Sequence, residues 1–542
     1  MRCTEITICI SFELMNKIIT LLFVLICLVS CVSVKQYNAQ ISSLHSVSEL
    51  HEDVDKAYSQ LQRFHPKLYQ FVSKAELDSK FESLKKDIDR PMGSSEFYER
   101  LAVVIKEVRQ GHLMLRPPTR RYSKSELKAL NKLKFEFNDL DFEILENKLW
   151  VKGTLGKDST MVGNEVLAID KESTKKLVDK YKSLFSSDGF NTTYHDRYVG
   201  RNFSNFYYSD KGFRDSLVLL LKKKDSIYFR TFRWIGKGGS AKKDSSASKE
   251  PKKISKVDKI AFKEKQKAKR KAGRKRGYVP SRDYYLRNFD FIGKDNSVGY
   301  LKIRGFGQGN QKKFYKETFA KIDSAKCDNL IIDLRDNGGG SLAEIENLYA
   351  YLALKPFRLV NNAETKTNIP ATKSLFSKRG VGFFGGTLRL LGAPGLLAYD
   401  LLHSKKENGK RHYKLTKSKL KELNRNSFKG KIYVLTNGYS FSASSILSTN
   451  LQANNRATFV GEETGGSYNG TVAGQSKFVT LPNSKVRMKF GMMQIETPYK
   501  SEPNGYGVKP DIEIIPTQND RLENRDPELE WVLRDIFGSE RP

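Results

Sequence analysis

"VLTNGYSFSASSILSTNLQANN", Val434–Asn455, joins a short apolar run to an Asn-Gly pair and then to five closely spaced serines. An apolar run closed by Asn-Gly reads as a buried strand ending in a turn. From Ser442 onward Ala443, Ile446, Leu447 and Leu451 recur at helical spacing, so the stretch predicts a helix beginning there. Serine is a favoured helix cap, but one cap needs one serine. A strand-to-helix turn is also where a nucleophile can be presented, and spacing alone does not separate Ser440, Ser442 and Ser444 for that role.

Working outward, the same alternation recurs. "NSVGYLKIRGF" reads as a strand, "KKFYKETFAKIDSA" as a helix and "NLIIDLR" as a continuous apolar strand of the buried kind. "SLAEIENLYAYL" follows as a helix, and "KIYVLTNG" leads into the serine-rich segment. Strands alternating with helices predict an α/β core. Upstream, "SVSELHEDVDKAYSQLQRFHPKLYQF" and "SSEFYERLAVVIKEVRQG" have helical periodicity, with Gly111 suited to a C-terminal cap and "HLMLRP" following as a short strand. "KFEFNDLDFEILENKLWVKG" alternates as two strands, and "VGNEVLAIDKESTKKLVDKY" reads as strand, turn and helix. No internal repeat is visible.

The chain has 542 residues, enough for about three domains, and a formal charge of +34. Gly236–Arg276 carries 17 Lys or Arg against 4 Asp or Glu in a Gly/Ser/Lys/Ala context, which reads as a solvated, flexible insert. A second basic, irregular insertion is expected over residues 357–425, with an apolar patch "GVGFFGGTLRLLGAPGLLAYDLL". At the N-terminus, "NKIITLLFVLICLVSC" places one lysine before an apolar segment too short to span a bilayer. Leu28-Val29-Ser30-Cys31 resembles a bacterial lipobox, which makes Cys31 the lipidated residue and Met15 the natural start of the signal. Cys3, Cys9 and Cys27 then precede the cut and Cys327 stands alone, so no internal disulfide framework is expected. The expected organisation is a signal over 1–31, a polar tether over 32–45, a helical region over 46–118 and a β-rich module over 130–235. The basic insert (236–283) and the core (284–540) follow.

Three places carry candidate chemistry: "DLRDNGGGS" (Asp333–Ser341), "FSASSI" (Phe441–Ile446) and "GEETGGSYNG" (Gly461–Gly470). Consecutive glycines leave backbone N–H groups unshielded at a helix start, which suits an anion or oxyanion. The first segment lacks the Lys-Ser/Thr of a phosphate-binding loop and does not fit dinucleotide spacing. There is no His-Glu-x-x-His and no Cys-x-x-Cys, so neither a metal site nor a cofactor is expected.

In order and spacing, these three segments resemble the C-terminal-processing and tricorn-core family of serine peptidases (clan SK), over about Ser297 to Ile515. "FHPKLYQF" and "VRQGHLMLRP" resemble the helical N-terminal portion of bacterial members. The resemblance implies a ClpP/crotonase-like α/β core, an N-terminal helical region and a small PDZ-like module. It places the nucleophile on Ser442, leaving Ser444, Ser445 and Ser448 to cap or pack the helix. The lysine and glutamate of the C-terminal-processing branch are replaced here by Ser467 and Ser445, and no lysine occurs from Ser442 to Ser476. The tricorn-like branch uses a histidine and a distal glutamate instead, which fall on His112 and Glu502. His195 and Glu496 are their competitors, and Ser467 is a candidate supporting hydroxyl. Gly338, Gly339 and the amide of Ala443 are the implied oxyanion donors.

The chemistry agrees with these roles. A serine hydroxyl needs a neighbouring base, and imidazole both takes and returns a proton near neutrality. The expected protein is a lipid-anchored endopeptidase of a bacterial cell envelope, periplasm-facing or in the outer membrane, acting on peptide or protein substrates. One rival is a non-catalytic peptide-binding lipoprotein of the same fold. Another is an acyl-thioester enzyme, disfavoured by export away from coenzyme A. Nucleic acid is not an expected partner of the basic insert, which lacks interleaved aromatics; anionic lipid or envelope polymer fits its charge better.

Overall fold

The computed structural model describes residues 33–155, 159–236, 256–280, 282–293, 297–378 and 383–538. Its centre is a six-stranded sheet in the order Arg287–Ile292, Val298–Ile303, Asn329–Asp333, Lys431–Thr436, Thr458–Gly461, Ile512–Glu513. The first pair is antiparallel and the others are parallel. Alternate residues of its two central strands serve two apolar layers. Leu330, Ile332, Ile432 and Val434 pack with the helices Gln311–Ser324, Leu342–Leu352 and Ala443–Ala453. Ile331, Tyr433 and Leu435 pack with Val532 of the C-terminal helix Pro527–Phe537. Burial on both faces is why these strands read as continuous apolar runs rather than alternating ones.

Two further sheets flank the core. The β-rich module is a seven-stranded antiparallel sheet running from Leu133–Phe135 to Ser226–Gly236, crossed by helices Thr174–Lys182 and Thr193–Lys211. The other sheet is built on the long pair Thr471–Thr480 and Arg487–Ile495, to which Met114–Arg116 adds antiparallel, with Met114 opposite Lys489. This last pairing stitches the N-terminal helices to the core, some 370 residues further along the chain, and fixes the segment that carries His112.

Several expectations are revised. The segment read as a polar tether contains a helix, Val34–Ser42, because Ser33 caps it and Tyr37 is buried beneath the Arg121 guanidinium, 3.6 Å from its ring. The basic insert, read as flexible, includes the helix Lys256–Gly273 and the pairing of Tyr278–Val279 with Tyr284–Tyr285. Residues 357–425 are not irregular: they hold the helices Pro370–Ser377 and Phe383–His403 and a hairpin of Ser404–Glu407 with Lys410–Tyr413. Gly111 is not a helix cap either, since that helix ends at Lys106. A Cβ on Gly111 would lie 2.6 Å from the Phe441 ring, so the glycine is there for close approach. The signal segment and Cys31 lie outside the described residues.

Candidate active site

The parallel strands Asn329–Asp333 and Lys431–Thr436 end side by side, and the loops that follow them build the site. This is the carboxyl edge of an α/β sheet, where such folds place their ligands. Asp333 is fully buried and accepts from Tyr300, Lys302 and Arg335; burial pushes its carboxyl up, but the Arg335 guanidinium and the Lys302 ammonium hold it well below the usual carboxylate range. Arg335 in turn reaches Asp526 ahead of the C-terminal helix. After the second strand, the Gly438 amide donates to Glu462, which follows the adjacent strand Thr458–Gly461 and also binds the guanidinium of Arg197. Both loops therefore leave the sheet from anchored bases.

The serines divide cleanly. Ser440 Oγ donates to Leu334 O at 2.8 Å, Ser444 Oγ to Asn337 O at 2.9 Å and Ser445 Oγ to Ser440 O at 3.1 Å. Ser448 is buried in the helix. Ser442 occupies the N-cap of the helix Ala443–Ala453 yet makes no capping hydrogen bond. Its backbone has φ +58° and ψ −115°, a conformation that costs a non-glycine residue about 1–3 kcal/mol. That strain turns its side chain out of the cap and toward His112, whose Nε2 lies 3.1 Å from Ser442 Oγ.

His112 is half-buried and its ring packs on Phe441, centroids 5.0 Å apart. Burial, with a smaller push from the ammonium of Lys489, lowers its pKa to about 4. The imidazole is therefore neutral at pH 7 and able to accept a proton. His195, the other candidate, packs on Phe185 with centroids 5.1 Å apart, and among the described residues it has no bond to Ser442.

Gly339 lies against the nucleophile: a Cβ there would sit 2.8 Å from both Ser442 Cβ and the Ala443 nitrogen. Its own N–H, however, donates to Asn337 Oδ1 at 2.9 Å. Asn337 also accepts from the Phe441 amide at 3.0 Å and from Ser444, so it ties the glycine loop to the serine turn. Among the described residues no acceptor is recorded for the N–H of Ala443 or of Gly338. Those two amides, rather than that of Gly339, are left to bind an oxyanion.

Glu502 is exposed, and its carboxylate accepts from the Asn504 amide at 2.9 Å. Asn469 holds Ser501 and Asn504 from below, which turns this loop outward. Glu496 is paired with Lys500 at 2.6 Å. Neither glutamate bonds to His112. The carboxylate behind the histidine segment is Asp188, only 1% exposed, whose Oδ1 accepts from the Gly111 amide at 2.8 Å. Burial lifts its carboxyl to about 6, against the opposing pull of the Gly111 amide, which is hydrogen-bonded to it, and of the nearby Thr471 and Ser467. Ser467 Oγ is buried beside it with no hydrogen-bond partner, as are Thr471 Oγ1 and Asp188 Oδ2. In the sequence Asp188 stands in "SSDGF", an ordinary turn composition, and nothing there marks it as a neighbour of His112.

We expect the Asp188 charge to act on the neighbouring His112: ionised, it would favour the imidazolium that forms when the histidine takes the serine proton, and protonated it would not. The pH profile of kcat/KM is therefore expected to rise about tenfold through pH 6, the scale of one pKa unit of interaction. Asp188→Asn, which can still accept from Gly111, should remove that step while leaving the melting temperature nearly unchanged. A profile with the step intact would rule Asp188 out.

A strained serine at a strand-to-helix turn, an imidazole on its hydroxyl and uncommitted amides beside it together define a serine-hydrolase arrangement on an α/β fold. Residues 297–514 match the sequence model of peptidase family S41, a family of serine peptidases, and this match supports a serine peptidase. Solved structures with the same fold include mature CPAF complexed with lactacystin (TM-score 0.57, 16% identity, 90% of this chain and 98% of that one). Mature CPAF on its own is comparable (TM-score 0.56, 15% identity, 91% and 99%). A search of curated protein sequences finds no match.

Proposed function

We propose that this chain is a serine endopeptidase of a bacterial cell envelope that cleaves peptide bonds through an acyl-enzyme on Ser442, with His112 as general base. The observation that carries this reading is the 3.1 Å approach of His112 Nε2 to Ser442 Oγ. As Oγ attacks the scissile carbonyl carbon, its proton passes to Nε2. The carbonyl oxygen, now negative, lies against the amides of Ala443 and Gly338, a type of contact commonly worth about 10²–10³ in rate per donor. Collapse expels the amine, which takes the proton back from the imidazolium. Water then repeats the sequence on the ester and regenerates the serine. No cofactor takes part.

The envelope location rests on the apolar N-terminal segment and the lipobox at Cys31. In this reading the β-rich module acts as a PDZ-like unit that holds the substrate chain.

The test is covalent. Treated with a fluorophosphonate, the protein should gain one adduct, and peptide mapping should place it on Ser442. Lactacystin, which is complexed with mature CPAF, is the ligand to try in competition. A protein that takes up no adduct at Ser442 while remaining folded would be a peptide-binding lipoprotein instead.

A further inference from the structure

The helix Phe383–His403 is inside out. Asp400, one of its two charged residues besides the terminal histidine, is fully buried. Its carboxylate accepts from the amides of Ala371 (3.2 Å) and Thr372 (2.7 Å) and from the Tyr413 hydroxyl (2.9 Å). Those bonds dock the Asp400 side of the helix on its neighbour Pro370–Ser377 and fix its rotation. At 3.6 residues per turn, Leu391 and Leu402 then fall on the opposite side, with Leu390, Leu397 and Leu401 along one flank. All five are exposed, Leu391 by 78% and Leu402 by 81%. A helix that is apolar on its free side has to be covered by something.

Charge decides what covers it. The hairpin that continues from the helix presents Lys405, Lys406, Lys410 and Arg411 to solvent, with Glu407 the one acid among them. The chain as a whole carries +34. A second copy would bring the same cations against these, whereas an anionic bilayer offers acyl chains to the leucines and headgroups to the lysines. An apolar stripe flanked by basic residues is the pattern of a helix lying in the membrane interface. No described helix is long and apolar enough to cross a membrane.

We propose that Phe383–His403 is an interfacial helix that lays its Leu391/Leu402 side into an anionic lipid surface, with the Ser404–Tyr413 hairpin on the headgroups. This contact is separate from any lipid on Cys31, and it would hold the peptidase core down on the membrane rather than leaving it free on a tether.

The test reads the helix itself, so an N-terminal anchor cannot mimic the result. The full-length L391W variant should show a blue-shifted emission with phosphatidylglycerol vesicles, and quenching when the acyl chains are brominated. Pure phosphatidylcholine or 0.5 M salt should weaken both signals. The double variant L391E/L402E should lower the vesicle-bound fraction about tenfold. If L391W is not quenched on vesicles that carry the protein, the proposal fails. It also fails if L391E/L402E converts a dimer to a monomer in sedimentation, since a second copy would then be the cover. Fluorophosphonate labelling of Ser442 in the same samples reports the active site independently.

Discussion

Ser442→Ala is expected to abolish fluorophosphonate labelling and to lower peptide hydrolysis by about 10⁴-fold or more, because the covalent route loses its only nucleophile. The neighbouring serines cannot substitute. Ser440, Ser444 and Ser445 each donate to a backbone carbonyl, and all three are buried. Ser444→Ala removes one hydrogen bond to the Asn337 carbonyl, which keeps the one from the Phe441 amide. That costs on the order of 1 kcal/mol of stability, and labelling should persist. Ser442 makes no cap and no structural bond beyond His112, so its replacement should leave the melting temperature within a few degrees of wild type. Intact-mass labelling of the two variants, run beside thermal melts, checks both halves. Equal labelling of Ser442→Ala and wild type would move the nucleophile elsewhere.

The central sheet was legible because burial on both faces forces apolar runs such as "LIID" and "IYVL", and because glycine and asparagine must follow where the strands stop. The nucleophile needed more than periodicity. Spacing left three serines with equal standing; the family resemblance singled out Ser442, and the backbone shows it to be the one strained out of its cap. His112 could be nominated by the resemblance of its setting, but the contact with Ser442 depends on Met114–Arg116 joining a strand far along the chain, which no local pattern encodes. Asp188 was invisible for a similar reason: its role comes from burial against Gly111, and burial of one aspartate is a tertiary fact. Glu502 shows the opposite failure. The spacing ahead of "GVKPD" nominates it, while the side chain of Asn469, 33 positions earlier, turns its loop to solvent. The outward leucines of Phe383–His403 were plain as an apolar patch, but which side they face is set by the bonds of Asp400.

His112→Ala should lower kcat by about 10²–10⁴-fold, the usual contribution of a general base, with a smaller change in KM because the ring takes part mainly in proton transfer. The pH dependence identifies the residue more sharply than the size of the loss. Burial and the nearby Lys489 ammonium lower the imidazole to about 4, below its ordinary 6.5. The neutral base is therefore fully present above pH 5, and kcat/KM should fall tenfold per unit only below about 4. That limb lies beneath the smaller step near pH 6 assigned to Asp188. Stability is a poorer readout, because the two groups oppose each other. The depressed imidazole adds stability as pH rises from about 4 to 6.5, whereas the raised Asp188 carboxyl loses it as pH rises from its ordinary 3.8 to about 6. Lys489→Met removes the positive neighbour without touching Ser442, so the lower limb should move upward in pH while the plateau rate stays close to wild type. Initial rates on a chromogenic peptide between pH 3.5 and 8, for wild type, Lys489→Met and His112→Ala, separate these effects. A wild-type profile governed by a single group near 6.5 would show that the base is not the histidine held at Ser442.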